Sequence, residues 1–564
     1  MILRVKFYRK SLFALIFAAV FVLNGTADAT SVFGSYLASR HAQALKDTNK
    51  ASAFMLRVLE ENPEDQKLLR RTFLLTLAAG NFEIALQLAE RIEKSGGDMS
   101  ISGFLLGIDA ARKGNFRAAK ERFDALPRRG LNAYAAPLAA AWSRAGAGDY
   151  DAALSALAEL DQKSGFSAMR ELHTGLINDL ANRQKAAETN YRAVTDELYK
   201  APARVVQAVG SLLERTQRKD EARKLYQKFL GEHLTNIAIE HTLARLDAGE
   251  TARPLIDSAK AGIAEGLFNI AAALPRDRST DMALIYSQIA LYLRPNFELA
   301  RLLLGGLLDN QRRYAQANDI YGTVDASSPY SWTARLRIAD NLTDLENVGE
   351  AVEMLQNMSE ERPERTDALI KLGGILRSRE RYKEAVDVYD MAGMRLGEIT
   401  PGHWLFFYNR GIALERSKIW KRAEKDFLKA LKLQPEHPYV LNYLGYSWVE
   451  KGINIERAKK MIERAVEQRQ DDGYIVDSLG WVLYRLGDYF ASVKHLERAI
   501  RLRPSDPVIN DHLGDAYWQA GRRLEARFQW RRALGLNPDE DLIPAIQAKL
   551  ENGLKQEKLS GSGR

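Results

Sequence analysis

His233 and His241 stand eight residues apart, a spacing that lets both imidazoles share one helix face and one metal ion. Such a site needs further ligands, and no carboxylate or third histidine is spaced to complete it. The other six histidines, at 41, 173, 403, 437, 495 and 512, are scattered. All eight are expected to be surface or partly buried side chains, with no metal. Carboxylates are plentiful, as on any solvated helix, and no pair stands out as an acid and its base. The chain has no cysteine, which removes thiolate metal sites, disulfides and cysteine nucleophiles together. No G-x-S-x-G, P-loop, H-E-x-x-H or G-x-G-x-x-G follows the N-terminal segment. Neither an enzyme nor a cofactor is expected.

The informative pattern is repetition. "DSLGWVLYRLGDYFASVKHLERAIRLRPSD" (477–506) is followed by "DHLGDAYWQAGRRLEARFQWRRALGLNPDE" (511–540). Gly480 is answered by Gly514, Ala499 by Ala533 and Pro504 by Pro538, each 34 residues on. In a 34-position register Gly falls at 8, Ala at 20, a large or aromatic residue at 24, a small one at 27 and Pro at 32. Unit starts fall at 32, 66, 100, 134, 168, 203, 237, 264, 298, 332, 366, 404, 438, 473 and 507. Each unit reads as two helices, A and B, because apolar residues recur at three and four in both halves. In 473–506, Val476, Leu479 and Leu483 mark helix A, Gly487-Asp488 breaks it, Val493, Leu496 and Ile500 mark helix B, and Pro504 ends it. Small residues at 8, 20 and 27 let A and B approach closely. The extra residue near Asn454 falls between two helices of its unit. The stretch 237–263 is short, lacks Gly at 8, and places Pro254 in its second helix.

This register resembles the tetratricopeptide repeat (TPR) family over roughly residues 32–540. The resemblance implies an all-α, right-handed superhelical solenoid of about 15 helix-turn-helix units. The expected organisation is an N-terminal array (32–236), a degenerate unit and kink (237–263), a C-terminal array (264–540), a capping helix (541–553) and a disordered tail (554–564).

In the family the concave surface is lined by helix A at positions 2, 5, 6, 9 and 12. The resemblance therefore implies a protein-binding groove made by Tyr408, Asn442, Tyr443, Tyr446, Tyr474, Asp477, Trp481, Tyr484, Asp511, His512, Asp515 and Trp518. Asn or Asp at position 5 would hold a peptide backbone while Tyr446 and Trp481 stack on side chains. The competing reading is that these rings fill space between successive A helices. Some TPR clamps grip a C-terminal carboxylate with Lys at 5 and Asn at 9. Asn442 with Tyr446, and Asp477 with Trp481, do not offer that. Arg70, Arg71 and Arg112 fall on the expected inner face of early units, as an anion-friendly surface or a solvated charge face.

At 564 residues the chain exceeds what one core supports, which also favours an array. Its net charge of +8 is mild and does not call for nucleic acid. Residues 1–29 read as a cleavable signal peptide: Arg4, Lys6, Arg9 and Lys10, then the apolar "SLFALIFAAVFVL", then "ADA". The apolar run is shorter than the roughly 20 residues of a membrane span, which favours a cleaved leader over the alternative of a retained anchor. Without a cysteine the chain cannot be an acylated lipoprotein. The chain is similar in style to large exported TPR proteins of proteobacteria, notably alphaproteobacteria. That resemblance implies a periplasmic scaffold binding segments of envelope proteins and contributing to cell-envelope integrity or assembly. The alternative is an accessory factor of an exopolysaccharide or outer-membrane secretion system.

Overall fold

The computed structural model describes residues 31–554 except 98, 161–165, 196, 234, 235 and 276–278. The signal-peptide pattern, and the tail beyond Leu554, lie outside the described residues. Among those residues there are thirty α-helices, three 3-10 turns and no strand. They form two compact units that divide between Ala351 and Val352.

The first unit begins with six hairpins. These are α1 (Val32–Ala44) with α2 (Thr48–Glu61), α3 (Gln66–Ala78) with α4 (Phe82–Lys94), α5 (Met99–Arg112) with α6 (Phe116–Ala125), α7 (Asn132–Gly146) with α8 (Tyr150–Leu157), α9 (Ser167–Leu180) with α10 (Gln184–Ala193), and α11 (Ala203–Arg215) with α12 (Lys219–Glu232). A lone helix α13 (Ile237–Asp247) follows. Then come α14 (Ala259–Ala273) with α15 (Thr280–Leu293), α16 (Glu298–Asn310) with α17 (Tyr314–Gly322), and α18 (Ser331–Asp344). The division falls within α19 (Val348–Glu361). The second unit continues with α20 (Asp367–Ser378) and α21 (Tyr382–Arg395), α22 (Trp404–Arg416) and α23 (Trp420–Leu433), α24 (Pro438–Glu450) and α25 (Ile455–Gln468), α26 (Gly473–Arg485) and α27 (Tyr489–Leu502), α28 (Pro507–Gln519) and α29 (Arg523–Gly535), and α30 (Ile543–Asn552).

The register has a direct physical meaning. In many units position 24 supplies a buried ring or large side chain, and glycine at position 8 supplies its space. A Cβ on Gly210 would fall 2.1 Å from Tyr226 Oη, on Gly411 2.7 Å from Phe427 and on Gly514 2.4 Å from Trp530. Many helices begin at an Asp or Asn whose side chain accepts from the first-turn backbone, as Asp65, Asn115, Asp472, Asp488 and Asp506 do. The A-to-B turn passes through a left-handed residue at position 15. Gly487 takes it with φ 83°, whereas Lys46, Asn182, Gln217, Arg312, Glu346, Glu380 and Lys418 take it at 58–64°. The extra residue of the 438–472 unit is absorbed at Asn454, itself left-handed just before α25.

The stretch 237–263 departs from expectation. Pro254 is not in a second helix; residues 250–258 are non-helical. Gly249, with φ 82°, ends the turn after α13. The following strand of chain is pinned to α11: Ser211 Oγ donates to Arg253 O (2.7 Å), and buried Glu214 accepts from Ala252 N (3.2 Å) and Arg245 (2.6 and 2.7 Å).

That excursion redirects the chain. Helices α14 and α15 lie against α3, α5 and α7, which precede them by more than a hundred residues. Gly262 and Gly266 let α14 approach α7; Cβ atoms there would fall 2.2 Å from Trp142 and Leu138. Gln288 of α15 donates to Ala78 O (3.1 Å), and Tyr292 donates to Asp109 (3.1 Å) while stacking on Phe82 at 4.3 Å. Leu138 and Trp142 occupy positions 5 and 9 of their unit, so the inner face expected to be an open groove is filled by the chain's own hairpin.

This also corrects the arginine reading. Arg71 donates to Tyr36 Oη (3.2 Å) and Gln43 (2.9 Å). Arg112 lies 4.5 Å above the Tyr292 ring and 3.6 Å from Asp109. Neither belongs to an open anionic-ligand surface; Arg70 lines a cavity of the first unit and is not free either. The eight-apart histidines do not share one helix either: His233 caps the end of α12 and His241 lies within α13. His233 stacks on Phe229 at 4.1 Å, and no group of metal-binding side chains occurs among the described residues.

Candidate functional site

In the second unit the A helices α22, α24, α26 and α28 carry the aromatic face. Tyr408 is half-buried, 6.2 Å from Phe427 and edge-on to Tyr443 at 6.1 Å. Burial pushes its hydroxyl up to about 12. Tyr443 donates to Glu415 (3.2 Å). Burial, then nearby carboxylates, raises the Tyr443 and Tyr446 hydroxyls above their ordinary value, so both remain hydrogen-bond donors. Trp481 donates from Nε1 to Glu450 (2.5 Å) and lies between Tyr484, stacked at 4.8 Å, and His512, stacked at 4.1 Å.

Asn442, Tyr443, Tyr446, Tyr474 and Asp477 come together with Asp506 around one cavity of about 250 Å³ between α24, α26 and α28. Asn442 Oδ1 is buried there without a hydrogen-bond partner. Asp506 uses one oxygen to cap α28 at Ile509 N (3.0 Å). Asp477 is buried and faces His512 Nδ1 at 3.0 Å.

The remaining three residues meet the capping helix. Lys549 of α30 donates to Asp511 (2.7 Å) and Asp515 (2.8 Å), and Asp515 also accepts from Trp530 Nε1 (2.8 Å). Trp518 packs beside Trp530 at 5.4 Å and under Gly553. The face therefore has an aromatic stretch from Tyr408 to Tyr484 and a covered end at α30. Sequence reasoning missed Glu415, Glu450 and Asp506. Asp506 was legible as a helix cap, since Pro507 follows it at the first helical position. Its second role depends on how α24 and α26 pack beside it.

The His512 cluster gives this end a pH dependence. Burial works against a proton on His512, but Asp477, backed by Asp511 and Asp515, overrides it and raises the imidazole. A base with a raised folded pKa stabilises fully below its unfolded value, about 6.5, and loses that contribution as pH climbs through the folded value. Asp515 is raised to about 6, chiefly by burial and then by Asp511, so its ionisation between about pH 4 and 6 also opposes folding. His437 and His495, lowered by burial, act in the opposite sense. Comparison with His512→Gln separates them: the melting-temperature gap between wild type and variant should be larger at pH 6 than at pH 8. An equal gap at both would refute the assignment.

Family models match twice: a "Tetratricopeptide repeat" model at residues 336–398 and a "TPR repeat" model at 480–521. A TPR repeat-containing protein of Pseudomonas aeruginosa is 27% identical over 190 residues, 34% of this chain and 32% of that protein. The RNA polymerase-associated protein CTR9 of Caenorhabditis elegans is 26% identical over 166 residues, 27% of this chain and 14% of that protein. The chain thus spans about a third or less of these relatives. Among solved structures, the APC/C hetero-tetramer Cut9–Hcn1 matches 88% of this chain and 98% of its own at 16% identity, TM-score 0.39. YrrB, described as a TPR protein with an unusual peptide-binding site, matches 35% of this chain and 98% of its own at 21% identity, TM-score 0.27. With two family models matching, and with position 8 packed against position 24 in hairpin after hairpin, the chain carries tetratricopeptide repeats.

Proposed function

We propose that this chain is a non-catalytic scaffold whose second unit holds a segment of another protein along the face from Tyr408 to Trp481, with a lysine or arginine side chain seated between α24, α26 and α28. The observation that supports this is the chemistry of that cavity. It offers an unpaired buried acceptor, Asn442 Oδ1, the carboxylate of Asp506, that of Asp477, which also holds His512, and three tyrosine rings, and among the described residues no lysine or arginine lines it. Arg503 stands nearby, 5.1 Å over Tyr474, outside the lining. A cation over a tyrosine face gains about 0.5–2 kcal/mol, and a carboxylate partner adds a charge-assisted hydrogen bond. The cavity's size suits one long side chain rather than a folded domain. Donor hydroxyls at Tyr443 and Tyr446, with Asn442, can then grip the segment's backbone.

The setting we propose is the periplasm, with an envelope protein as client and cell-envelope integrity or assembly as the role. The support is the export pattern of residues 1–29. Among the described residues no helix is long and apolar enough to cross a membrane. Fractionation of cells, with the N-terminal sequence of the recovered protein, tests this; recovery from the cytoplasm with the leader intact would refute it.

The binding test is photo-crosslinking in cells from Tyr446 and Trp481, followed by peptides derived from the captured client. Asp506→Asn isolates the charge, because asparagine caps a helix as well as aspartate does. It should weaken a basic peptide about tenfold, 1.4 kcal/mol, with stability changed by only a few tenths. Unchanged affinity would sink the basic-side-chain reading. Crosslinks confined to faces away from Tyr446 and Trp481 would sink the groove itself.

A further inference from the structure

The mild +8 of the whole chain hides a strong division within the second unit. The A helices α24, α26 and α28 pack on one another in turn and form an inner layer. The B helices α23, α25, α27 and α29 lie outside it. Those four carry sixteen lysines and arginines against seven carboxylates, a surplus of nine. Their partners α22, α24, α26 and α28 carry three against five.

The surplus is gathered along one stripe. Positions 18, 22 and 29 of the register share one face of helix B, opposite the buried positions 20, 24 and 27. Lys421, Lys425, Lys432, Lys460, Lys494 and Arg501 stand there, all exposed, and none makes a hydrogen bond or ion pair among the described residues. Only α25 places carboxylates at those positions, Glu456 and Glu467, and Glu467 is paired with Arg464 at 2.6 Å. Large apolar side chains stand open on the same stripe. Phe490 (81% exposed) and Leu524 (84%) take position 18, and Phe528 (60%) takes position 22. Single exposed apolar residues are ordinary, but here three share a face with unpaired cations. Beside α23 the face is recessed into a cavity of about 620 Å³, where Lys425, Lys429 and Lys432 stand around Phe407 and Ile399.

Cations alone would suit any polyanion, but nucleic acid or an acidic protein segment gains little from bare rings set among them. A bilayer uses both. Its phosphates meet the lysines and arginines, whose long stems reach the headgroups while the rings enter the acyl boundary. We infer that the outer face of the second unit lies on an anionic phospholipid surface, through Phe490, Leu524, Phe528 and the cations of positions 22 and 29. The face from Tyr408 to Trp481 is on the other layer and stays free for a protein segment. The two roles are independent.

The test is co-sedimentation of residues 30–564 with vesicles of phosphatidylcholine alone or mixed equally with phosphatidylglycerol. That stretch holds every described helix and omits the basic, apolar leader, which would bind vesicles by itself. Binding to the mixed vesicles should be at least tenfold tighter than to phosphatidylcholine and should fall as salt is raised. Lys425→Gln combined with Lys460→Gln and Lys494→Gln should weaken it about a hundredfold, at roughly fivefold per charge. Phe490→Ser combined with Phe528→Ser should weaken vesicle binding about tenfold and leave retention on a heparin column unchanged. Both variants should keep the wild-type circular dichroism and melting temperature, since all five side chains are exposed. The inference is overturned if mixed vesicles bind no better than phosphatidylcholine, or if the lysine variant binds them as wild type does. It is also overturned if the phenylalanine variant keeps full vesicle binding, which would mark the face as a site for a soluble polyanion instead.

Discussion

Replacing Arg204 with alanine is expected to destabilise the first unit by about 3–5 kcal/mol, because it strands a buried charge. Arg204 of α11 donates from Nε (2.8 Å) and Nη2 (2.6 Å) to the two oxygens of Glu265 on α14, which is fully buried. Burial pushes the Glu265 carboxyl up, and Arg204 more than reverses it, holding the group below its ordinary value and ionised. The neighbouring His173 cannot replace the lost cation. Burial depresses it to about 4, and its Nδ1 accepts from Trp142 (3.0 Å), so it is neutral at physiological pH. Among the described residues Arg294 is the remaining cation near Glu265, and burial lowers its own pKa. Replacing both partners with leucine should recover most of the loss, since burial of the pair is itself costly. Urea denaturation of the single and double variants checks this. A single-variant loss below about 1 kcal/mol would show that the pair contributes little.

The second large effect is expected at Trp530. This ring is fully buried, fills the space left by Gly514, and donates to Asp515. Trp530→Ala leaves a large cavity and should cost about 3–5 kcal/mol. It also leaves the buried Asp515 carboxylate with Lys549 as its strong donor, which should raise Asp515 further above about 6. Trp530→Phe keeps most of the packing but loses the Nε1 hydrogen bond, so its cost should be intermediate. Calorimetry reads the result. In a repeat array each hairpin is stabilised mainly by its neighbours, so the loss should appear in the transition of the second unit alone. Equal loss in every transition would refute that independence.

Much of the hairpin architecture was legible because its cause is local. Gly210 and Tyr226, or Gly514 and Trp530, stand sixteen residues apart, and the same contact recurs in hairpin after hairpin. The left-handed turn at position 15 was hidden because charged residues such as Lys418 and Glu380 occupy it as readily as glycine does. The fold-back of α14 and α15 was missed for a different reason. A register read from neighbours has no term for contact between a helix and another two hundred residues earlier. A signal did exist in the composition of α7, NAYAAPLAAAWSRAG, which is apolar or small on almost every face; such a helix needs cover on every side, and twelve of its fifteen residues, including Leu138 and Trp142, are buried. Gly262 and Gly266, one turn apart on α14, were the matching half. In the groove, the aromatic residues could be placed from the register. Their division into an accessible stretch and an end covered by Lys549 depends on where α30 docks.

The fold-back also sets an order of events for the nascent chain. The hydrogen bond from Gln288 to Ala78 closes a loop of 210 residues. At roughly 5–20 residues per second, α15 is synthesised about 10–40 seconds after α3. Until then the early hairpins display Leu138 and Trp142 to whatever is nearby. Folding of this unit cannot simply propagate from the N-terminus as in an ordinary solenoid, because its early members await a late one. Fragments ending before Leu293 should therefore aggregate or recruit chaperones, while the unit carried through to Ala351 does not.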